Sequence, residues 1–488
     1  MNDRPVVVTA AGAVRGRDDG RVAAWRGIRY AEPPTGARRW RAPVPAQPWT
    51  GVADAERFGP AAPQRPNPSV PLAPGEPGGP RMDEDCLFLN VVRPSADRTD
   101  GRSRPVMVWL HGGAYAMGSS SQLVYHGETL AVDGDVVIVT LNYRLGALGF
   151  LDLAAAGVPD TETNRALRDV LLALRWVQHN IAAFGGDPGA VTLFGQSAGA
   201  GLVIALLASP LATGLFHRAI AQSPPAGSMY GPERSAVVTR RFVEHLGTDA
   251  GDVAALRETP VDAIVDAAAA VYTEIPREHP GTLAFAPGIG DDVLPESPLR
   301  VLSEGRGLPV PLIVGTNRDE ATLFRLMRSP LLPIRRPALE RMFAAMQEEQ
   351  ARGGPDGVRL PPPAACGPHT RAARCRAACE WRPTSPSGCP RSGWPPVTAP
   401  SPRPTCTAST SRPDCSGCPV SAPPTPPTCR TSGASSADSR TTRRSCWAGG
   451  ARRTTSRYAS ARAGPPSRTA APRGRTGLPT TPRPARRS

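Results

Sequence analysis

Residues 190–208 read AVTLFGQSAGAGLVIALLA, and this stretch decides the fold. Residues 190–194 are a short apolar run typical of a buried strand, and residues 198–208 are typical of a helix. Between them, residues 195–199 have the form G-x-S-x-G, which places Ser197 on a sharp turn from strand to helix. The stretch therefore predicts an exposed, nucleophilic serine at the top of a sheet. The alternative is a structural serine in a glycine-rich turn.

Strand-like and helix-like segments alternate on both sides of this stretch, which indicates an α/β fold with a mostly parallel central sheet flanked by helices. Apolar positions at helical spacing predict a helix over 166–182. The Pro- and Gly-rich segment 59–80 is predicted to be a loop. The other predicted strands are residues 106–110, 135–141, 216–222 and 310–314.

The segment HGGAY at residues 111–115 follows the first of these strands. A carbonyl attacked by a serine develops negative charge on its oxygen, and losing one backbone donor to that oxygen costs about 3 kcal/mol. Small residues let backbone amides face a substrate, so the candidate donors are Gly112, Gly113, Ala114 and the amide of Ala198, which follows the nucleophile. The alternative is a plain glycine-rich turn.

A serine hydroxyl needs a general base, and that base needs a carboxylate to orient it. Residues 315–320 read GTNRDE and directly follow the predicted strand 310–314. Glu320 is the candidate acid, and Asp319 is its neighbouring competitor. Either carboxylate could instead be a surface charge.

The composition changes sharply near residue 360. Residues 361–488 carry 21 arginines and three acidic residues, a net charge of +18, whereas the whole chain carries +15. Nine of the ten cysteines also lie there. Such a segment buries too little apolar area to offset chain entropy. We therefore predict a truncated α/β domain at 1–355 and a disordered, low-complexity tail at 356–488.

No catalytic histidine is identified in the chain. His369 lies close to Glu320 in sequence and inside the tail, and His279 precedes the acid. His111 borders the glycine loop. One hypothesis is a shifted reading frame: read one nucleotide early, residues 404–435 become an ordinary amphipathic sequence, in which a histidine codon can straddle Pro424 and Thr425.

The composition argues against several other classes of function. Cys415 and Cys418 have metal-ligand spacing, but no second pair supports a site, so we expect no metal and no cofactor. The basic tail lacks aromatic residues at regular intervals, so no specific nucleic-acid partner is expected. The N-terminus has no signal-like pattern and no run reaches membrane-spanning length, so a cytoplasmic protein without a membrane partner is expected.

Several further motifs occur in a fixed order. They are GIRYAEPP at 27–34, EDCLFLNV at 84–91, NYRLG at 142–146, FGGDP at 184–188 and FHRAIAQS at 216–223. Together with the serine, glycine-loop and acid segments, they closely resemble the type-B carboxylesterases, in particular the bacterial para-nitrobenzyl-esterase-like members. The resemblance covers residue 5 to about residue 345 and implies the α/β-hydrolase fold.

The resemblance implies Ser197 as nucleophile, Glu320 as acid, and Gly113, Ala114 and Ala198 as oxyanion donors. Ser223 matches a serine that lies beside the acid in this family, and Gln196 stands where many members carry Glu. Cys86 has no earlier cysteine to pair with, so the N-terminal disulfide of the family is absent.

The implied function is hydrolysis of small uncharged carboxylic esters through an acyl-serine intermediate. In the family, the C-terminal portion supplies the catalytic histidine, and here the aberrant tail stands in its place. We therefore expect impaired activity in the chain as written. The alternative is a non-catalytic homologue or a damaged gene product.

Overall fold

Eight strands form the central sheet. The computed structural model describes residues 4–66, 81–97, 100–158, 160–249, 251–279, 282–326, 329, 331 and 336–351. In chain order the described strands are β1 (Val6–Val8), β2 (Ala13–Arg15), β3 (Arg17–Asp18), β4 (Val22–Arg29), β5 (Val52–Asp54), β6 (Phe88–Pro94), β7 (Arg104–Leu110), β8 (Val137–Leu141), β9 (Gly186–Gln196), β10 (Arg218–Gln222) and β11 (Leu312–Gly315).

The strand order of the central sheet is β11-β10-β9-β7-β8-β6-β4-β3. The five strands from β11 to β8 run parallel, and β6, β4 and β3 extend the sheet with antiparallel pairings. A separate three-stranded sheet has the order β1-β2-β5. The predicted mostly parallel sheet is therefore confirmed.

Helices connect the parallel strands, as right-handed crossovers require. The described helices are α1 (Glu128–Gly134), α2 (Gly146–Phe150), α3 (Arg165–Asn180), α4 (Ala198–Leu207), α5 (Pro232–Leu246), α6 (Val253–Glu258), α7 (Val261–Glu278), α8 (Pro298–Ser303), α9 (Ala321–Leu326) and α10 (Arg336–Ala351).

The helix after Ser197 is apolar on all sides, and every residue of α4 is buried. A helix without a polar face must lie inside the fold, and α4 packs against β9, β10 and β7. The longer α3 is amphipathic: it buries one apolar stripe and exposes its opposite face. Both helices confirm the corresponding sequence predictions.

The predicted strands are present; most boundaries shift by one or two residues, and β9 begins four residues before the strand predicted at 190–194. The strand predicted at 135–141 begins at Val137 because Asp135 closes α1 with a left-handed φ of 47°. The strand predicted at 310–314 begins at Leu312, after Pro311, which has no N–H for a ladder.

Several predictions fall partly or wholly outside the described residues. The tail at 356–488 and the boundary at 355 lie outside them, as does most of the predicted loop 59–80. Cys86 is described, and it is a buried, free thiol. Within the described ranges, no helix is long and apolar enough to cross a membrane, and no group of three potential metal ligands forms.

Candidate active site

Ser197 lies between the end of β9 and the start of α4, with φ of 55° and ψ of −124°. This is a conformation that a residue with a side chain rarely adopts, and the surrounding contacts must hold it. One of these contacts is the Ser197 N–H, which donates to the Gln222 carbonyl oxygen at 2.9 Å. The serine is half-buried at the carboxyl edge of the parallel strands, where α/β sheets bind ligands.

The turn at Ser197 depends on the absence of side chains at two glycines. A Cβ atom at Gly195 would lie 2.6 Å from the carbonyl carbon of Gly199. A Cβ atom at Gly199 would lie 2.0 Å from the carbonyl oxygen of Leu110, in the neighbouring β7. Both distances are well inside van der Waals contact, so helix α4 can only approach the sheet this closely because both residues are glycine.

The glycine loop after β7 lies directly against the elbow. A Cβ atom at Gly112 would be 3.2 Å from the Cβ of Ser197 and 2.8 Å from the Gln196 carbonyl oxygen. The next three residues all have left-handed backbone, with φ of 124° at Gly113, 51° at Ala114 and 60° at Tyr115. Such a run is strained, and it turns the loop back over the end of the sheet.

The backbone amides of the loop differ in how they are used. The N–H groups of Ala116 and Met117 both donate to the Gly113 carbonyl oxygen at 3.0 Å. Within the described part of the chain, the amides of Gly112, Gly113, Ala114 and Ala198 donate to no protein acceptor. The structure therefore leaves the four predicted donors available beside the serine.

Gln64 supports this loop from outside it, a role that no sequence motif indicates. Its side-chain oxygen accepts from the Gly118 N–H at 2.7 Å, and its side-chain nitrogen donates to the Gly118 carbonyl oxygen at 2.9 Å. The same nitrogen donates to the Ala62 carbonyl oxygen at 3.0 Å. Gln64 is 7% exposed, so these bonds are shielded from water.

Glu320 follows β11 and lies against Ser223, which follows β10. The Ser223 hydroxyl donates to Glu320 Oε1 at 2.5 Å, and the Asn317 N–H donates to the same oxygen at 2.6 Å. Asp319 instead lies 4.0 Å from the exposed Arg318 side chain. Of the two candidate acids, only Glu320 faces the neighbouring strand ends.

The charge state of Glu320 follows from these contacts. Partial burial acts to raise the pKa of its carboxyl group, but hydrogen bonds from Ser223 and Asn317 outweigh burial and hold the pKa below its ordinary value. Glu320 is therefore a carboxylate at neutral pH.

Strand register places Ser197 at one level with Ser223, the serine that contacts the acid. Gln196, the last residue of β9, is opposite Gln222 of β10, which is opposite Gly315 of β11. Ser197 and Ser223 each follow directly on these strand ends, and both have positive φ. Gln196 itself is exposed, and its side-chain oxygen would be 3.0 Å from a Cβ atom at Gly112.

His111 is held as a structural residue. Its ring is buried, stacks on Tyr143 with ring centroids 4.5 Å apart, and has Nδ1 at 2.9 Å from the Gly112 carbonyl oxygen. Burial lowers the pKa of His111 to about 4, so the ring is neutral at pH 7.

The remaining described histidines make no hydrogen bond to Ser197 or Glu320. His217 accepts from the Val191 N–H, His126 contacts the Ser121 carbonyl oxygen, and His245 contacts Glu274. His179 lies in α3, and His279 follows α7. His369 lies outside the described residues. In the described part of the chain, no imidazole joins the serine to the carboxylate.

An apolar cavity of about 80 Å³ opens beside the glycine loop. Met117 and Ala116 line one side of it, and Ala268, Tyr272 and Phe285 line the other. Burial raises the pKa of the Tyr272 hydroxyl to about 12, so this wall carries no charge at neutral pH. Such a cavity suits an uncharged apolar group.

The carboxylesterase family profile matches residues 3–344. The chain is 43% identical to phenmedipham hydrolase of Pseudarthrobacter oxydans over 323 residues, which cover 66% of this chain and 63% of that protein. It is 41% identical to para-nitrobenzyl esterase of Bacillus subtilis strain 168 over 319 residues, which cover 65% and 63%.

A solved structure of a PNB esterase superposes with a TM-score of 0.60 at 40% identity, covering 66% of this chain and 65% of that one. A thermophilic PNB esterase gives a TM-score of 0.62 at 39% identity and covers the same shares. The chain thus spans somewhat less than two thirds of the length of these relatives. The fold is the α/β-hydrolase fold, and the chain belongs to the carboxylesterase family, with similarity to its para-nitrobenzyl-esterase-like members.

Proposed function

We propose that this chain carries most of the machinery of a carboxylic ester hydrolase that acts through an acyl-serine intermediate. Ser197 is the proposed nucleophile and Glu320 the proposed acid. The observation that carries this proposal is the strained backbone of Ser197 beside a glycine loop whose amides donate to no acceptor among the described residues.

The chemistry assigns one task to each group. Ser197 Oγ attacks the ester carbonyl carbon, and the oxygen that becomes negative is stabilised by the amides of Gly113, Ala114 and Ala198, with Gly112 beside them. Ser223 fixes the Glu320 carboxylate through its short hydrogen bond. Gln196 stands beside the nucleophile and shapes the approach to Gly112.

Completing this cycle requires a base that takes the proton from Ser197 and returns it to the leaving alcohol. No described histidine touches Ser197 or Glu320, which supports the view that the base is missing. Because triad members act as a unit, we expect hydrolysis at least ~10³-fold below that of an intact relative. The proposed division into a domain at 1–355 and an out-of-frame tail at 356–488 accounts for the loss of the catalytic base.

The proposed substrates are small, uncharged esters with short to medium acyl or aryl groups. The cavity beside the glycine loop is lined mainly by apolar side chains, which favours uncharged groups. One relative is named for para-nitrobenzyl esters, so such an ester is a suitable test substrate. A cytoplasmic location and the absence of a nucleic-acid partner stay predictions.

The competing proposal is a non-catalytic homologue or a damaged gene product. It is favoured by the lack of a described base, whereas the intact elbow and the Ser223–Glu320 contact favour a recently lost activity over a long-established binding role. The nucleotide sequence around codons 350–370 distinguishes a shifted reading frame from a natural disordered tail.

The deciding experiment measures p-nitrophenyl acetate hydrolysis by three proteins: the chain as written, its Ser197→Ala variant, and a version whose reading frame is restored after codon 350. We expect only the restored protein to reach the rate of an ordinary esterase, and Ser197→Ala in that background to silence it. An ordinary rate of hydrolysis by the chain as written would overturn the proposal that its catalytic base is missing. An inactive, folded restored protein would overturn the proposed activity.

A further inference from the structure

Strand β11 forms an exposed apolar edge of the central sheet. Its residues Leu312, Ile313 and Val314 are 42%, 67% and 57% exposed. Strands of a parallel sheet are normally covered on both faces, and for that reason they consist mostly of apolar residues, as β11 does. In the part of the chain that the structure describes, β11 pairs with β10 on one side and with no strand on the other.

The hydrogen bonds to β10 fix which backbone groups point outward. Ala219 N–H donates to the Pro311 carbonyl oxygen, and Ser223 N–H donates to that of Gly315. In a parallel ladder, alternate residues face the same neighbour. Residues 311, 313 and 315 therefore face β10, and Leu312 and Val314 direct their N–H and carbonyl groups away from the sheet, toward any added strand.

The opposite edge of the same sheet does not fit this strand. It is β3, which comprises only Arg17 and Asp18. Placing β11 of one molecule against β3 of another would set apolar side chains against charged ones. A repeated contact of that kind would also build open chains instead of a closed assembly. Of the two edges of the central sheet, only another β11 matches β11 in length and polarity.

We propose that β11 is a self-association edge through which two copies of this chain pair in antiparallel fashion around a two-fold axis at Ile313. Leu312 of each copy then exchanges backbone hydrogen bonds with Val314 of the other, which satisfies all four outward groups of each strand. The two Ile313 side chains face each other across the axis. The proposal is independent of the catalytic one.

The expected dimer is weak. Two four-residue strands bury far less than the roughly 1,600 Å² of a standard protein interface. A closed pair of exposed edges nevertheless removes the unpaired groups that make an edge strand prone to association. We therefore expect a reversible, concentration-dependent equilibrium between monomer and dimer, without larger species.

Sedimentation of the full chain under reducing conditions tests the assembly. Val314→Lys places like charges near one another across the axis, so we expect its association constant to fall at least about tenfold. The matched control is Val8→Lys, the same change at an exposed valine of β1, which is expected to leave association unchanged. Circular dichroism of both variants checks that the fold is retained.

Cysteine cross-linking tests the register. In the proposed pairing the Cα atoms of the two Ile313 residues lie about 4.5 Å apart, close enough for a disulfide. Those of the two Leu312 residues lie more than about 7 Å apart, which is too far. After mild oxidation, mass spectrometry should find a 313–313 peptide in Ile313→Cys, and at least about ten times less 312–312 peptide in Leu312→Cys.

Several results would overturn the proposal. They are a chain that stays monomeric at every concentration, a dimer that Val314→Lys leaves intact, larger open assemblies, or equal cross-linking at both positions. A monomer whose Leu312 and Val314 amides resist hydrogen exchange would also overturn it, because another part of the same chain would then cover the edge.

Discussion

Strands β8 and β11 have similar sequences and opposite surroundings. Both are short, apolar strands of the same parallel sheet, yet every residue of β8 is buried and every residue of β11 is exposed. An apolar strand is therefore stabilised by the layers of structure that cover its two faces. On the β8 side the described chain supplies those layers, whereas on the β11 side the unmatched third of the relatives has no counterpart in the described residues.

The proposed catalytic groups are divided between these two sides. Ser197 and the glycine loop lie on the covered side, where glycines and a buried helix fix them. Glu320 follows the exposed strand, and among the described residues it is held through Ser223 and Asn317. Matched substitutions on the two sides compare how much each side contributes to the stability of the fold.

The largest expected effect comes from adding one methyl group to a glycine. In Gly199→Ala the new Cβ meets the Leu110 carbonyl oxygen at 2.0 Å, so we expect a loss of more than about 3 kcal/mol or failure to fold. In Gly315→Ala nothing lies within 4 Å of the new Cβ, so we expect a change within about 0.5 kcal/mol. Urea unfolding measures the free energy of unfolding of both variants, and an equal loss of stability in the two would refute this expectation.

The next contrast concerns two glutamines. Gln64→Ala leaves the N–H and carbonyl groups of Gly118 without their partner in a buried setting, so we expect a loss of about 2 to 3 kcal/mol. Gln196→Ala changes an exposed side chain, and we expect a loss below about 0.5 kcal/mol. Thermal unfolding followed by circular dichroism compares them. A loss at Gln196 as large as that at Gln64 would contradict the prediction.

Two valines provide the most direct comparison of the strands themselves. Val139 of β8 is 0% exposed and Val314 of β11 is 57% exposed. We expect Val139→Ala to cost about 2 kcal/mol, from lost burial and the cavity left behind. Val314→Ala should cost less than about 0.5 kcal/mol. If Val314→Ala proved as costly in urea unfolding as Val139→Ala, β11 would be covered in solution.

The sequence alone predicted the features that depend on local pattern. The strand–serine–helix turn, the glycine loop and the strand preceding Glu320 follow from apolar runs and from glycines, which constrain the backbone over a few residues. Features that depend on distant contacts were not predictable. Gln64 lies beside Arg65 in a Pro-rich segment, and nothing nearby in sequence indicates its bonds to Gly118, 54 positions away.

Arg165 shows the same limit. It is fully buried at the start of α3. Its guanidinium donates to the carbonyl oxygens of Leu148 and Ala147 and makes further short bonds to backbone oxygens at Glu162 and Leu151. Burial lowers the pKa of Arg165 to about 9. A residue-type rule would place an arginine on the surface, and only the surrounding carbonyl groups explain its burial.

The smallest expected effect lies on the exposed side, at the Ser223–Glu320 contact. Because the pKa of Glu320 is lower in the folded chain than in the unfolded one, this carboxylate adds stability above the ordinary pKa of glutamate and loses it as the pH falls through the folded pKa. Ser223→Ala removes a lowering hydrogen bond, so the Glu320 pKa should rise and acid unfolding should begin at a higher pH. NMR titration of the Glu320 carboxyl carbon measures this shift. Ser303→Ala, which removes an exposed hydroxyl that bonds the Arg300 carbonyl oxygen, is the control and should leave the midpoint in place. If the titration midpoint of Glu320 were unchanged in Ser223→Ala, the Ser223 hydroxyl would not hold the Glu320 carboxylate in solution. The position of Glu320 would then depend on contacts that the described residues do not make.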